Sequence, residues 1–144
     1  MEKYNKRRAG TIGEVKSLLS LGSIARQFSE QQPGYVVQSW LRDRGTLEFL
    51  MLWECENNPG FHLDAYWELL DRTKESGFTL TPKQWIERAG AFGITSKQGK
   101  NGGIYAHPEI ACAFMMWLSP KFRLVMIQSY QLAESPANGV WDNE

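Results

Sequence analysis

No stretch of this chain is apolar for the length needed to cross a bilayer, and the basic residues at positions 1 to 8 are not followed by the apolar segment of a secretory leader. Both absences lead to the expectation of a cytoplasmic protein with no membrane partner. Cysteine is scarce, with only Cys55 and Cys112, and so is histidine, with His62 and His107. No pair among these four has the close spacing of a zinc knuckle or finger, so no metal and no cofactor is expected. The two cysteines fall in sequence that reads as helix and are expected as reduced, buried thiols. Patterns of the GxSxG, Walker and HExxH kinds are missing. The carboxylates that lie near one another, Glu54 with Glu56 and Asp64 with Glu68, sit on predicted helices, where acidic pairs ordinarily keep a face solvated. An enzyme is not expected, since nothing else assembles around Asp64 and Glu68 as a nuclease would require.

Net charge is lacking too: 16 Lys and Arg balance 16 Asp and Glu in 144 residues, which at first speaks against a polyanionic partner. The distribution says otherwise. Residues 1 to 47 carry eight basic against four acidic residues, 48 to 75 two against seven, 76 to 123 six against two, and the remainder none against three. A fold that brings the two basic blocks to one side would be a dipole with a cationic face. What the chain has in quantity is packing material. Apolar residues make up 42% of it, six of them Trp, enough for one domain to bury a core without a disulfide or metal.

The hydrophobic pattern predicts mostly helix. Residues 1 to 17 are polar and read as a flexible arm. Leu18, Leu19 and Leu21 suggest a short strand feeding a helix with Ile24, Ala25 and Phe28; after the turn Gln31-Gln32-Pro33-Gly34, Val36, Val37, Trp40 and Leu41 mark a second helix over 35 to 42. Thr46 is the expected cap of a third, which is apolar nearly all round from Leu47 to Trp53 and so expected to be buried on all sides. Leu63, Tyr66, Trp67 and Leu70 mark a fourth, carrying most of the acidic block. Thr81-Pro82-Lys83-Gln84 has the form of a capping box opening a fifth helix, with Gly90 at its end. His107-Pro108-Glu109 opens a sixth and Ser119-Pro120 a seventh, with Phe122, Val125, Met126 and Tyr130 expected on its inner face. Residues 135 to 144 read as a frayed tail.

Between Ile94-Thr95 and Ile104-Tyr105, two short β runs, lies the segment Ser96-Lys97-Gln98-Gly99-Lys100-Asn101-Gly102-Gly103. Its glycines permit tight turning and close approach to another surface, while Lys97 and Lys100 offer cations and Gln98 and Asn101 amides. Such a hairpin suits a polyanion with readable edges, for which double-stranded DNA is the obvious partner. A solvated tip whose lysines serve only solubility has the same composition, and these residues alone leave both open.

Several blocks in order resemble the KilA-N domain of phage and prophage proteins: Leu19-Ser20-Leu21-Gly22-Ser23-Ile24-Ala25; Trp40-Leu41-Arg42 through Leu50; Leu52-Trp53-Glu54; Asn57-Asn58-Pro59; Phe78 through Glu87; and, most specific, Gly102-Gly103-Ile104-Tyr105-Ala106-His107-Pro108-Glu109-Ile110-Ala111 through Phe122. The resemblance spans residues 18 to 134. It implies an α+β domain, mostly helical around a small hairpin, winged-helix-like and related to the fungal DNA-binding domains of the APSES type. It implies DNA binding in phage or prophage regulators or antirepressors. Members often open with an apolar strand and continue into a second domain, where this sequence has the polar arm and the tail. The expected contacts are Gln38, Arg42 and Arg44 from the second helix and its end, and Lys97, Gln98, Lys100 and Asn101 from the hairpin acting as a wing. The other reading is a protein-interaction module gripping a phage or host protein, with self-association open in either case.

Overall fold

Ser20 turns the chain from strand to helix. Its hydroxyl accepts a hydrogen bond from the Ser23 N–H at 3.1 Å, capping a helix start that would otherwise leave its first amides unpaired. Strand β1 (Leu19–Ser20) thereby runs straight into α1 (Leu21–Phe28). In this computed structural model the residues described are 17–99 and 102–133. The expected N-terminal arm, apart from Ser17, the C-terminal tail, and Lys100 and Asn101 lie outside them.

The remaining elements follow in the order the pattern predicts: α2 (Pro33–Leu41), α3 (Arg44–Asn57), α4 (Leu63–Arg72), α5 (Pro82–Ala89), β2 (Ile94–Lys97), β3 (Gly103–Ala106), α6 (Pro108–Leu118) and α7 (Pro120–Ala133). The capping box at α5 is complete. Gln84 N–H donates to the Thr81 hydroxyl at 3.1 Å and Thr81 N–H to the Gln84 side-chain oxygen at 3.0 Å. At α6 the His107 Nδ1 accepts from the Glu109 N–H at 3.1 Å, so the imidazole carries its lone pair there and serves as a cap. The three strands form one antiparallel sheet in the order β1-β3-β2. β3 is central, with Ala106 opposite both Leu19 and Ile94 and Tyr105 opposite both Ser20 and Thr95. The domain is therefore mostly helical α+β, as expected.

The helices bury the residues their spacing singled out. Val36, Val37, Trp40 and Leu41 of α2, Leu47 and Leu50 of α3, Tyr66 of α4, Trp85 of α5 and Ile110 and Phe114 of α6 form one core with Ile94 and Ala106 of the sheet. Trp40 meets the Phe114 ring edge-on, centroids 4.9 Å apart, an arrangement that favours the ring quadrupoles.

Four expectations need correcting. The N-cap position of α3 is Asp43; Thr46 lies inside the helix and donates its hydroxyl to the Asp43 carboxylate at 3.2 Å, because the chain turns one residue after Arg42. α3 is not buried all round, since Leu52 is 58% exposed while Glu54 is fully buried. The core lies on one side of α3, so a polar residue at a core-facing position goes in and an apolar one on the far side stays out. Cys55 lies on that outer side and is exposed. Finally, α7 has no buried residue: Val125 and Tyr130, expected on its inner face, are exposed along with Leu124, Ile127 and Leu132. Only Phe122 and Met126 are half-buried, because α7 touches little of the domain beyond α6.

One close approach fixes how the hairpin joins the helices. A Cβ on Gly93 would run into Ile110 Cδ1 and stand 2.7 Å from the Trp53 ring and 2.9 Å from a Glu54 oxygen, so only glycine lets the chain pass between α3 and α6. Gly93→Ala is expected to destabilise the domain by about 1–3 kcal/mol through overpacking, read as a lower midpoint in urea; an unchanged midpoint would mean that this crossing can open without cost.

Candidate nucleic-acid interface

The expected contact residues fall in two places. At the hairpin, Lys97 ends β2 opposite Gly103, and it and Gln98 are exposed. The tip closes through Gly102 N–H donating to the Gly99 carbonyl at 3.0 Å. A Cβ at Gly102 would collide with the Lys97 carbonyl, so the turn requires glycine. Gln98 and Ser96 share the lining of a cleft of about 310 Å³ with Lys83 and Glu87 of α5, one charge of each sign.

The other place is the turn between α2 and α3. Arg42 is exposed, its N–H donating to the carbonyls of Gln38 at 3.1 Å and Ser39 at 3.3 Å; Gln38 itself is half-buried. Arg44 opens α3 with its Nε 3.4 Å from Glu48 Oε1, both side chains about half exposed. Such an exposed pair is weak and exchanges readily for a phosphate. Arg123 of α7 lines a groove of about 370 Å³ together with Asp43 and Gly45 from this turn and the rings of Phe49 and Trp117. Nothing in the sequence places Arg123 there, since it is 79 positions from Arg44 and only the fold of α6 and α7 brings it across.

What connects the two places is α3. Arg44 is its first residue; ten residues on, about 15 Å along the axis at the α-helical rise, its last turns hold both roots of the hairpin. Glu54, fully buried, accepts from Gly93 N–H at 2.8 Å, from Phe92 N–H at 3.1 and 3.2 Å, and from the Asn58 side-chain amide at 2.8 Å. The same amide donates to the Gly90 carbonyl at 2.8 Å. The adjacent Trp53 holds the other root: its indole N–H donates to the Glu109 carboxylate at 2.9 Å and its ring lies 5.0 Å from that of His107. The roots are joined directly by His107 N–H donating to the Gly93 carbonyl at 2.9 Å.

The expectation that Glu54 lies on a solvated face is thus overturned. Residues 90 to 93 cross α3; the Gly90 and Ala91 amides still donate to the Ile86 carbonyl of α5, but those of Phe92 and Gly93 have no backbone acceptor, and a buried amide needs one. Glu54 supplies it from a core-facing position. Burial pushes the carboxyl above its ordinary 4.5, against the pull of Asn58 and the Gly93 and Phe92 amides. The only sequence signal was a Glu directly after the apolar run from Phe49 to Trp53, followed four residues later by an Asn.

Among the described residues no group of three or more His, Cys, Asp or Glu is placed to hold a metal ion, and no helix is long and apolar enough to cross a membrane. A small, mostly helical α+β domain with a basic hairpin braced against its helices is the class of protein these features define. The model of the KilA-N domain matches residues 16–134, so the chain belongs to the KilA-N family, which is generally a family of DNA-binding domains and not typically one of enzymes. No curated protein and no solved structure matches it.

Because the carboxyl of Glu54 is raised on folding, the folded state holds its proton to higher pH than the unfolded chain does. The stability this contributes is full below about 4.5 and is lost as pH rises toward the raised value. Wild type minus Glu54→Gln should therefore show a stability difference that favours wild type most in acid and shrinks with rising pH above that point. All other titrating groups are common to both proteins, so denaturant midpoints measured from pH 4 to 8 isolate Glu54; a difference that grows with pH would reverse the assignment.

Proposed function

We propose that this domain binds double-stranded DNA with sequence preference and acts in gene regulation of the phage or prophage type. The α2–α3 turn approaches a groove and the hairpin acts as the wing. Arg42, Arg44, Lys97 and Lys100 contact phosphates or guanine edges, and Gln38, Gln98 and Asn101 add amide contacts. One observation carries the reading: two exposed cationic segments, far apart in sequence, are both borne on α3, a single helix whose far end grips the hairpin roots. Net neutrality does not oppose this. The acidic residues concentrate on α4 and the turn after it, where Asp64, Glu68, Asp71 and Glu75 are exposed. Arg123, beside Asp43 and Gly45, adds a cation to the arginine end.

Electrophoretic shift of random and selected duplexes across a salt series tests this. Each lost phosphate contact should flatten the slope of log K against log salt by about 0.9, so Lys97→Ala/Lys100→Ala should flatten it by roughly 1.8. An unchanged slope would remove the hairpin from the interface, and wild-type protein that shifts no DNA would remove the reading.

The second reading, an interaction module, is favoured by α7. A helix this rich in large apolar side chains ordinarily buries some of them, yet Leu124, Val125, Ile127 and Leu132 are 55%, 47%, 47% and 89% exposed. We assign this face to a second copy of the chain rather than to a phage or host protein. α7 bears Lys121 and Arg123 near its start and no acidic residue, so an antiparallel pair keeps its like charges at opposite ends. Four side chains at roughly 100 Å² each fall short of the ~800 Å² per partner of a standard interface. The pair is therefore weak alone and is reinforced when two copies sit on adjacent DNA half-sites. Sedimentation equilibrium should show association that rises with concentration and is lost in Leu124→Glu/Leu132→Glu; a monomer at all concentrations up to about 1 mM would overturn it.

A further inference from the structure

We infer that Trp53 and Glu54 are positioning residues for DNA binding: consecutive on α3, they grip one hairpin root each and so set the direction of the wing relative to the arginine end of the same helix. For its affinity measurement the inference rests on the DNA-binding reading above.

The geometry separates this role from ordinary core packing. Glu54 makes all its hydrogen bonds to the approach to β2 and to Asn58, which is itself tied to that approach through the Gly90 carbonyl. The Trp53 indole donates only to Glu109, at the passage from β3 into α6, and its ring lies tilted 5.0 Å from that of His107 there. Its ring also meets Phe92 edge-on at 5.9 Å, so the two grips share a wall. Beyond these roots the hairpin is held by its own ladder, by β1, which pairs with only Tyr105 and Ala106, and by α1 and α5. β1 reaches only the root half of β3; past Tyr105 its outer edge has no strand partner among the described residues. A rigid lever of this kind transmits a small tilt at its root into a larger displacement at Lys97, and a charge-assisted acceptor shared by three donors is a stiff root. Gly93, which no side chain can replace without striking Trp53, Glu54 and Ile110, keeps the crossing narrow enough for the grip to close.

Glu54→Gln keeps the size of the side chain but presents an amide N–H₂ where one of the two acceptor oxygens faced backbone N–H groups. The test uses four proteins: wild type, Glu54→Gln, Lys97→Ala/Lys100→Ala, and the triple variant. Two measurements are made on each, amide hydrogen exchange of β2 and β3 without DNA, and duplex affinity at fixed salt. If Glu54 acts through the wing, Glu54→Gln accelerates hairpin exchange by roughly tenfold, weakens DNA binding about as much as loss of the two lysines does, and costs nothing further when added to them, because mutations acting through one element are not additive. A purely structural role predicts the opposite: acceleration spread evenly over all helices and an affinity loss that multiplies with that of the lysines. Either result overturns the inference, as does a folded Glu54→Gln with wild-type hairpin exchange. Should Glu54→Gln not fold, Trp53→Phe, which keeps an aromatic ring but deletes the indole N–H donor to Glu109, is expected to accelerate exchange in β3 with the same non-additivity. Wild-type protein that binds no duplex removes the DNA reading instead, and the exchange pattern then judges the grip by itself.

Discussion

A carboxylate buried against backbone amides organises this domain. Residues 90 to 93 must leave α5, cross α3 and begin the hairpin, and past Ala91, whose N–H still reaches the Ile86 carbonyl, the Phe92 and Gly93 N–H groups have no backbone partner. Leaving two such donors unpaired would cost about 1–3 kcal/mol each, and Glu54 meets both while Asn58 meets the Gly90 carbonyl. The burial of a carboxyl is itself unfavourable, which is why its proton is held to higher pH than usual. The arrangement persists because the alternative is a crossing segment with no acceptor at all.

From that constraint the placement of the cationic elements follows. The hairpin can be basic, glycine-rich and largely outside the core because its roots are fixed by Trp53, Glu54 and the bond between His107 and Gly93. The arginines at the α2–α3 turn can be exposed because Trp40 and Leu41 anchor the end of α2 and Leu47 and Leu50 the start of α3 in the core. A helix holds length well, so the separation of the two segments along α3 is set by the ten positions from Arg44 to Glu54. A polyanion with a regular repeat is the partner for which such a fixed separation has a use.

α7 departs from this economy. It follows α6 through a Ser119 cap, whose hydroxyl accepts from Phe122 N–H at 3.1 Å, and then runs for fourteen residues without a buried side chain. Local signals made the helix, the Ser119 cap and Pro120 at its first position. Burial was expected from its apolar content and did not follow, since among the described residues α7 packs chiefly against α6.

Much of the architecture was legible in the sequence because helix starts are local chemistry. Thr81 with Gln84, His107 with Glu109, and Ser119 with Phe122 satisfy helix-start amides within three residues, and the apolar spacing of α2 names its buried face without reference to anything distant. The order of family blocks carried the fold further, and the hairpin was marked by its glycines. What only the tertiary structure decided are the pairings across long separations, Glu54 with Phe92 and Gly93, Trp53 with Glu109 and Arg123 beside the α2–α3 turn, along with the exposure of the apolar side chains of α7. These depend on which elements pack together. A glutamate four positions from an asparagine reads the same whether the face it occupies meets water or a passing segment of backbone, and the choice between those surroundings is made by the assembled core.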